Sequence, residues 1–328
     1  MMQRLETGAR AMTLRFALLA TAAAALALLV ALAPGAARAQ AFFQGPEKCQ
    51  ECHEAEFKVW EATPHHNSFR EIHKNDKAKD ILAAVGGEKN MKKNEVCTQC
   101  HYTMVRKDAS AEPRAEAGPS CESCHGASSD WFPIHNDFGG KDVKREDESP
   151  EHKATRIQEA AAAGMVWPSM RYDIALNCMS CHGLDRPNVD GETLAKMLGA
   201  GHPLKPEFEL VAYSQGTVRH RFYPPDVTVN KEMTPAELAE AYIQGAAAKL
   251  VAASAALSKS ADPKYQEGQQ ARIDLAKASI AAIQDMPEAA VLLADPSDAN
   301  ARALVEAIKG QDLSVKVGAM LPAPGTYK

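Results

Sequence analysis

The chain has 328 residues, with 37 Lys and Arg against 42 Asp and Glu for a formal net charge of −5. It carries eight cysteines and eleven histidines, and nothing in this mildly acidic balance suits a nucleic-acid partner. The length allows more than one structural region, and the cysteine and histidine positions say where the chemistry lies.

In chain order, the first feature is an uncharged Ala/Leu-rich run from Phe16 to Ala33, preceded by Arg15 and followed by the small-x-small triplet Ala37-Arg38-Ala39. This reads as an export signal over residues 1–39, with Gln40 as the first mature residue and Met12 as an alternative start. An uncleaved anchor is the competing reading, since a run of 18 uncharged residues just reaches the length of a membrane span. Nothing after residue 40 has that character, so no stable span is expected once the signal is cleaved. Loss of Arg4, Glu6, Arg10, Arg15 and Arg38 takes the net charge from −5 to −8. The protein is expected in the periplasm or an equivalent compartment.

All eight cysteines fall in one pattern repeated four times: Cys49, Cys52 and His53 in CQECH; Cys97, Cys100 and His101 in CTQCH; Cys121, Cys124 and His125 in CESCH; Cys178, Cys181 and His182 in CMSCH. C-x-x-C-H is the attachment signature of c-type haem, in which two thiols form thioethers to the vinyl groups and the adjacent histidine takes the iron as proximal ligand. Disulfides, zinc sites and redox dithiols also use paired cysteines. None of them requires a histidine directly after the second cysteine four times out of four. The expected cofactor is therefore four covalently bound haem c groups, whose propionates add further negative charge.

Every cysteine and histidine lies before residue 221, and residues 40–225 offer about 46 residues per haem. That is too few to wrap each haem separately, so the haems must share walls and lie close together. Between the motifs, Glu54 to Ala62 reads as a helix, with Phe57 and Trp60 at i,i+3 as haem-packing core and Pro64 marking its stop. Asp108 to Ser120 and Asn136 to Pro150 read as loops. Residues 226–328 are alanine-rich and lack both cysteine and histidine. Thr234-Pro235-Ala236-Glu237 is a capping box opening a helix to about Leu257, a second helix starts after Asp262-Pro263, and a third runs from near Pro296 to Gly310. The fold class expected is mainly α: helices and long loops packed on four haems, plus a C-terminal helical hairpin or small bundle acting as structural support.

With four proximal histidines assigned, His65, His66, His73, His135, His152, His202 and His220 remain for at most four sixth positions, and Met104 is a further candidate. Here the sequence resembles the tetrahaem cytochrome c-554 family of periplasmic electron carriers, over about Phe43 to His202. The resemblance rests on Trp60 and His65 in VWEATPHH, on GPSCESCHG at the third motif, and on His135 ten residues past His125. It implies that His65 is the distal ligand opposite His125 and His135 the one opposite His53. For the fourth haem the family uses a downstream histidine, here His202 in GAGHP with His220 behind it. The family leaves the second haem open, so an open position at His101 is the slightly favoured expectation. The C-terminal helices have no counterpart in the compact family members.

Three functional readings follow. The favoured one is an electron carrier between redox protein partners, such as a periplasmic dehydrogenase or a membrane quinol oxidoreductase, needing no substrate pocket. The alternative is an enzyme acting on nitric oxide, nitrite or hydroxylamine at a five-coordinate second haem, although the CxxCK motif of nitrite reductases is absent. A third reading makes the chain a haem-bearing subunit of a larger complex, with the C-terminal helices as its interface. The oligomeric state is left open.

Overall fold

A computed structural model describes residues 40–328, so the export-signal reading falls outside the described residues. Residues 41–328 form one unit whose regular structure is mainly helical. Among the described residues no helix is long and apolar enough to cross a membrane.

The haem-motif region is built from short helices joined by ordered turns. They are α1 (Pro46–Gln50), α2 (Glu54–Glu61), α3 (Pro64–Glu71), α4 (Ala78–Val85) and α5 (Glu95–His101). A two-stranded antiparallel sheet follows, β1 (Thr103–Val105) paired with β2 (Arg114–Ala117). Part of the expected Asp108–Ser120 loop is thus a strand, since its Arg-Ala-Glu-Ala run folds back on Thr-Met-Val. Next come α6 (Cys121–His125), α7 (Phe132–His135), α8 (Pro150–Ala162), α9 (Arg171–His182), α10 (Gly191–Gly199) and α11 (Leu210–Ser214).

The C-terminal part consists of α12 (Pro235–Ala256), α13 (Pro263–Ala281), α14 (Pro287–Ala294), α15 (Asp298–Ile308) and α16 (Ser314–Val317). Thr234 and Glu237 form the capping box read from the sequence, with Pro235 at the first helical position. Helix α14 was not anticipated. It occupies the stretch between the second and third expected helices, and it starts on a proline with no side-chain cap to announce it.

The main core lies here. Helix α12 packs against α13 on one side and α9 on the other, so alanines along its length bury against both neighbours. Ile243, Leu250, Ile280, Ile283, Leu292, Leu304 and Ile308 are fully enclosed, together with Tyr172 and Ala175 of α9. Burial of this apolar surface contributes about 25 cal/mol per Å². Because α9 carries the fourth motif on its last turn, that core fixes where the motif stands.

Candidate haem-binding site

Each motif sits on one helical turn. Motif two is the last turn of α5, motif three is the whole of α6, and motif four ends α9. Motif one straddles the end of α1, with His53 capping α2. In a helix the cysteines at i and i+3 and the histidine at i+4 share a face, so one turn presents both thiols and the imidazole to one plane.

Local capping holds these turns in place. The Asn94 side chain accepts from the Val96 and Cys97 amides at 3.1 and 3.3 Å and donates to the Gly86 and Glu88 carbonyls at 2.8 and 3.0 Å. Ser120 and Ser123 cap α6 reciprocally. Glu122, between the two cysteines of motif three, is buried and accepts from the amides of Gln44, Gly45 and Ser128 at 3.0, 2.8 and 2.9 Å. That carboxylate ties the segment leading into motif one to motif three. After His125 the chain turns at Gly126, whose φ of 87° no side chain takes readily, and a Cβ there would strike the Gly164 carbonyl.

The motifs meet in pairs. The thiols of Cys49 and Cys121, of Cys124 and Cys178, and of Cys100 and Cys181 lie close enough for each to shift its partner's ionisation. Asn177 Nδ2 donates to the Cys124 carbonyl at 2.8 Å, joining motifs three and four, and Arg186 Nε donates to the Gln99 carbonyl at 2.7 Å, joining four and two. The spatial order of the motifs is therefore one, three, four, two.

Each motif histidine faces one histidine from elsewhere. Ring centres are 6.5 Å apart for His53 and His135, 6.1 Å for His101 and His202, 6.3 Å for His125 and His220, and 6.1 Å for His182 and His65. A metal–imidazole bond is about 2 Å long, so an iron bonded to two opposed imidazoles holds their centres about 6 Å apart. The donor sets thus fit c-type haem: two thiols and a pair of imidazoles at iron-bridging separation, four times over.

Ring orientation agrees with that use. His125 Nδ1 bonds the Val166 carbonyl at 2.7 Å, His135 Nδ1 that of Phe132 at 2.8 Å, His202 Nδ1 that of Pro203 at 2.9 Å and His220 Nδ1 that of Val218 at 2.6 Å. A carbonyl on Nδ1 fixes the proton there and leaves Nε2 as the metal-binding nitrogen. Burial, reinforced by neighbouring histidines, pushes His101 and His182 down to about 4, and burial does the same to His125, so these rings are neutral at physiological pH, as a ligand must be.

Several expectations change. His65 faces His182, not His125, because Gly118 packs against the His65 backbone beside motif three while the ring reaches across to the end of α9. His202 faces His101 rather than His182, because α10 packs on α4 and leaves its C-terminal end beside α5. His220, the second choice for the fourth motif, faces His125. The pair His53 and His135 stands together as the resemblance implied. Met104 lies on β1, past the extended Tyr102. Of the other histidines, His66 packs edge-on against Trp60, His152 bonds Glu148 at 2.8 Å and His73 lies in a short 3₁₀ turn. Phe57 is buried and Trp60 donates its indole proton to the Pro119 carbonyl at 2.9 Å, so both are packing residues.

Among known proteins, the family model described as cytochrome c554 and c-prime matches residues 48–126. A curated relative, cytochrome c-554 of Nitrosomonas europaea, is 27% identical over 141 residues, covering 38% of this chain. The chain spans 58% of the length of that relative. No solved structure matches.

Proposed function

We propose that this chain is a tetrahaem c-type cytochrome that carries electrons between redox proteins in the periplasm, a reading supported by the match of residues 48–126 to the cytochrome c554 family model. The observation that carries the reading is the repetition: four C-x-x-C-H turns, each with a second histidine at iron-bridging distance. Haem iron held between two imidazoles supplies one-electron chemistry without a substrate position.

The residues of the chain do the rest. Cys49, Cys52, Cys97, Cys100, Cys121, Cys124, Cys178 and Cys181 attach the groups covalently, and His53, His101, His125 and His182 hold the irons from the proximal side. His135, His220 and His65 close the first, third and fourth positions. The proximity of Cys49 to Cys121, Cys124 to Cys178 and Cys100 to Cys181 brings successive attachment points beside one another. They define a path with motif one at one end and motif two at the other, where partners would give and take electrons. The C-terminal helices serve as the buttress of α9.

The test is the mass of the exported protein. It should equal the chain from Gln40 plus four haems, with no thiol reactive after denaturation. Fewer haems, or titratable thiols in fully matured protein, would overturn the reading.

A further inference from the structure

We infer that His202 closes the iron site of the second motif, so that the haem attached at Cys97 and Cys100 is six-coordinate like the other three. This rests on the four-haem reading above and departs from the open second position that the family resemblance implied.

The first ground is distance. The His101 and His202 ring centres are 6.1 Å apart, within the range of 6.1 to 6.5 Å spanned by the other three facing pairs. The second is the engaged nitrogen: the bond from His202 Nδ1 to its neighbouring Pro203 carbonyl leaves Nε2 as the nitrogen for a metal, the arrangement shared by His125, His135 and His220.

The third ground is that His202 is built into a helix terminus. Helix α10 ends in a Schellman motif, in which the His202 amide donates to the Met197 carbonyl at 2.9 Å and the Gly201 amide to that of Leu198 at 3.1 Å. Gly201 takes the left-handed conformation this requires, with φ 97°, and Pro203 prevents the helix from continuing. Leu194, Met197 and Leu198 of α10 share one apolar cluster with Ile81 and Val85 of α4 and with Val96, the residue before Cys97. The proximal and distal histidines therefore hang from one packed block, and no loop has to move to bring them together.

The fourth ground is the lack of a competing histidine among the described residues. His65, His135 and His220 are each engaged opposite another motif, and His66, His73 and His152 stand elsewhere. A second haem closed in this way has no position for nitric oxide, nitrite or hydroxylamine unless His202 leaves. The second site is thus an electron-transfer site, at odds with the enzyme alternative.

The experiment is electron paramagnetic resonance of the oxidised holoprotein, with carbon monoxide added to the reduced form. The inference expects only low-spin ferric signals and no carbon monoxide bound. In His202→Ala one haem in four should become high-spin and bind one carbon monoxide per protein, while His202→Met should remain six-coordinate with an altered spectrum. A wild-type protein with four haems by mass that shows one high-spin haem overturns the inference and leaves the four-haem reading standing. So does a His202→Ala protein whose spectrum is unchanged. A protein with three haems and free thiols at Cys97 and Cys100 overturns both.

Discussion

Gln269 Nε2 donates to the Gly183 carbonyl at 2.8 Å, so helix α13 grips the residue that directly follows the fourth motif's histidine. The grip has three points. Tyr265 donates its hydroxyl to the Leu184 carbonyl at 3.1 Å, and the buried Arg272 donates to Gln269 Oε1 at 2.6 Å and lies at 3.3 Å from the Met179 sulfur. Among the described residues no carboxylate lies within ion-pair distance of Arg272, and burial lowers its pKa to about 10, which still leaves it charged at neutral pH. Replacing Gln269 by Leu strands both the Gly183 carbonyl and the guanidinium. The expected cost is about 3 kcal/mol, the range for buried groups left without a partner, one of them charged. A lowered melting temperature with four haems still attached is the outcome to look for, and an unchanged melt would remove this role for α13.

A second prediction concerns Arg156, which donates to the His135 carbonyl at 2.7 Å and to both oxygens of Glu148 at 2.7 and 2.6 Å. The pair therefore holds the histidine that faces His53. Arg156→Met would leave the shielded Glu148 carboxylate with only His152 beside it, costing about 1–3 kcal/mol. Disturbance of the first haem's spectrum should accompany the loss, whereas a mere surface ion pair would move neither.

The same pair has an acid signature. Hydrogen bonding to Arg156, helped by His152, holds Glu148 down to about 2, below the usual carboxylate value of about 4.3. The folded value is the lower one, so the stabilisation is complete above the unfolded pKa and disappears as pH falls from about 4 to about 2. Glu148→Gln should lose stability at neutral pH and show a shallower acid dependence in that window. Equal slopes for the two proteins, measured by denaturant titration at several pH values, would contradict the assignment.

For the third motif, His220→Ala should convert one low-spin haem to high-spin and destabilise the fold by up to about 5 kcal/mol, the amount the chain-entropy treatment gives for opening a cross-link over a loop on the order of 100 residues. His73→Ala is the control, and a surface change of that kind stays within about 0.5 kcal/mol. Identical spectra for the two variants would remove His220 from the ligand set.

At Gly201, substitution by Ala puts a Cβ on a residue with φ 97° at the turn that carries His202. The strain costs about 1–2 kcal/mol. Beyond that general loss, the second haem should become the most easily opened of the four, seen as faster carbon monoxide uptake on partial denaturation. A variant that melts lower but opens its haems in wild-type order would show that the turn does not position His202.

How much of this could be read beforehand divides by the range of the interaction. The four motifs, the Thr234 capping box and the helices at Glu54 and Pro263 announce themselves within a few residues, because thioether spacing and capping are local. The facing histidines do not. His65, His202 and His220 were all visible as candidates, but which motif each meets depends on how α9, α10 and α11 stack, and the intervals along the chain carry no trace of that. His220 was ranked second for the wrong motif, and the one available signal was elimination, since four motifs need four partners and His66 neighbours Trp60. The strand Arg114–Ala117 was missed because its alternation is too short and too polar to stand out from a loop.

One consequence follows from how the four facing pairs lie along the chain. His53, His65, His101 and His125 all precede His135, His182, His202 and His220, and every pair takes one member from each set. No pair lies wholly within residues 53–125 or within 135–220. On the four-haem reading, a chain emerging N-terminus first, even with three motifs already loaded, would hold no iron with both imidazoles until His135 has emerged, and the third motif would wait for His220. Severed between the two sets, for example in the stretch after Gly126, the protein would give two fragments that each bear haem and each lack every second axial bond. Only their reassociation would restore the low-spin spectrum, so that the colour of the mixture would itself report the joining of the halves.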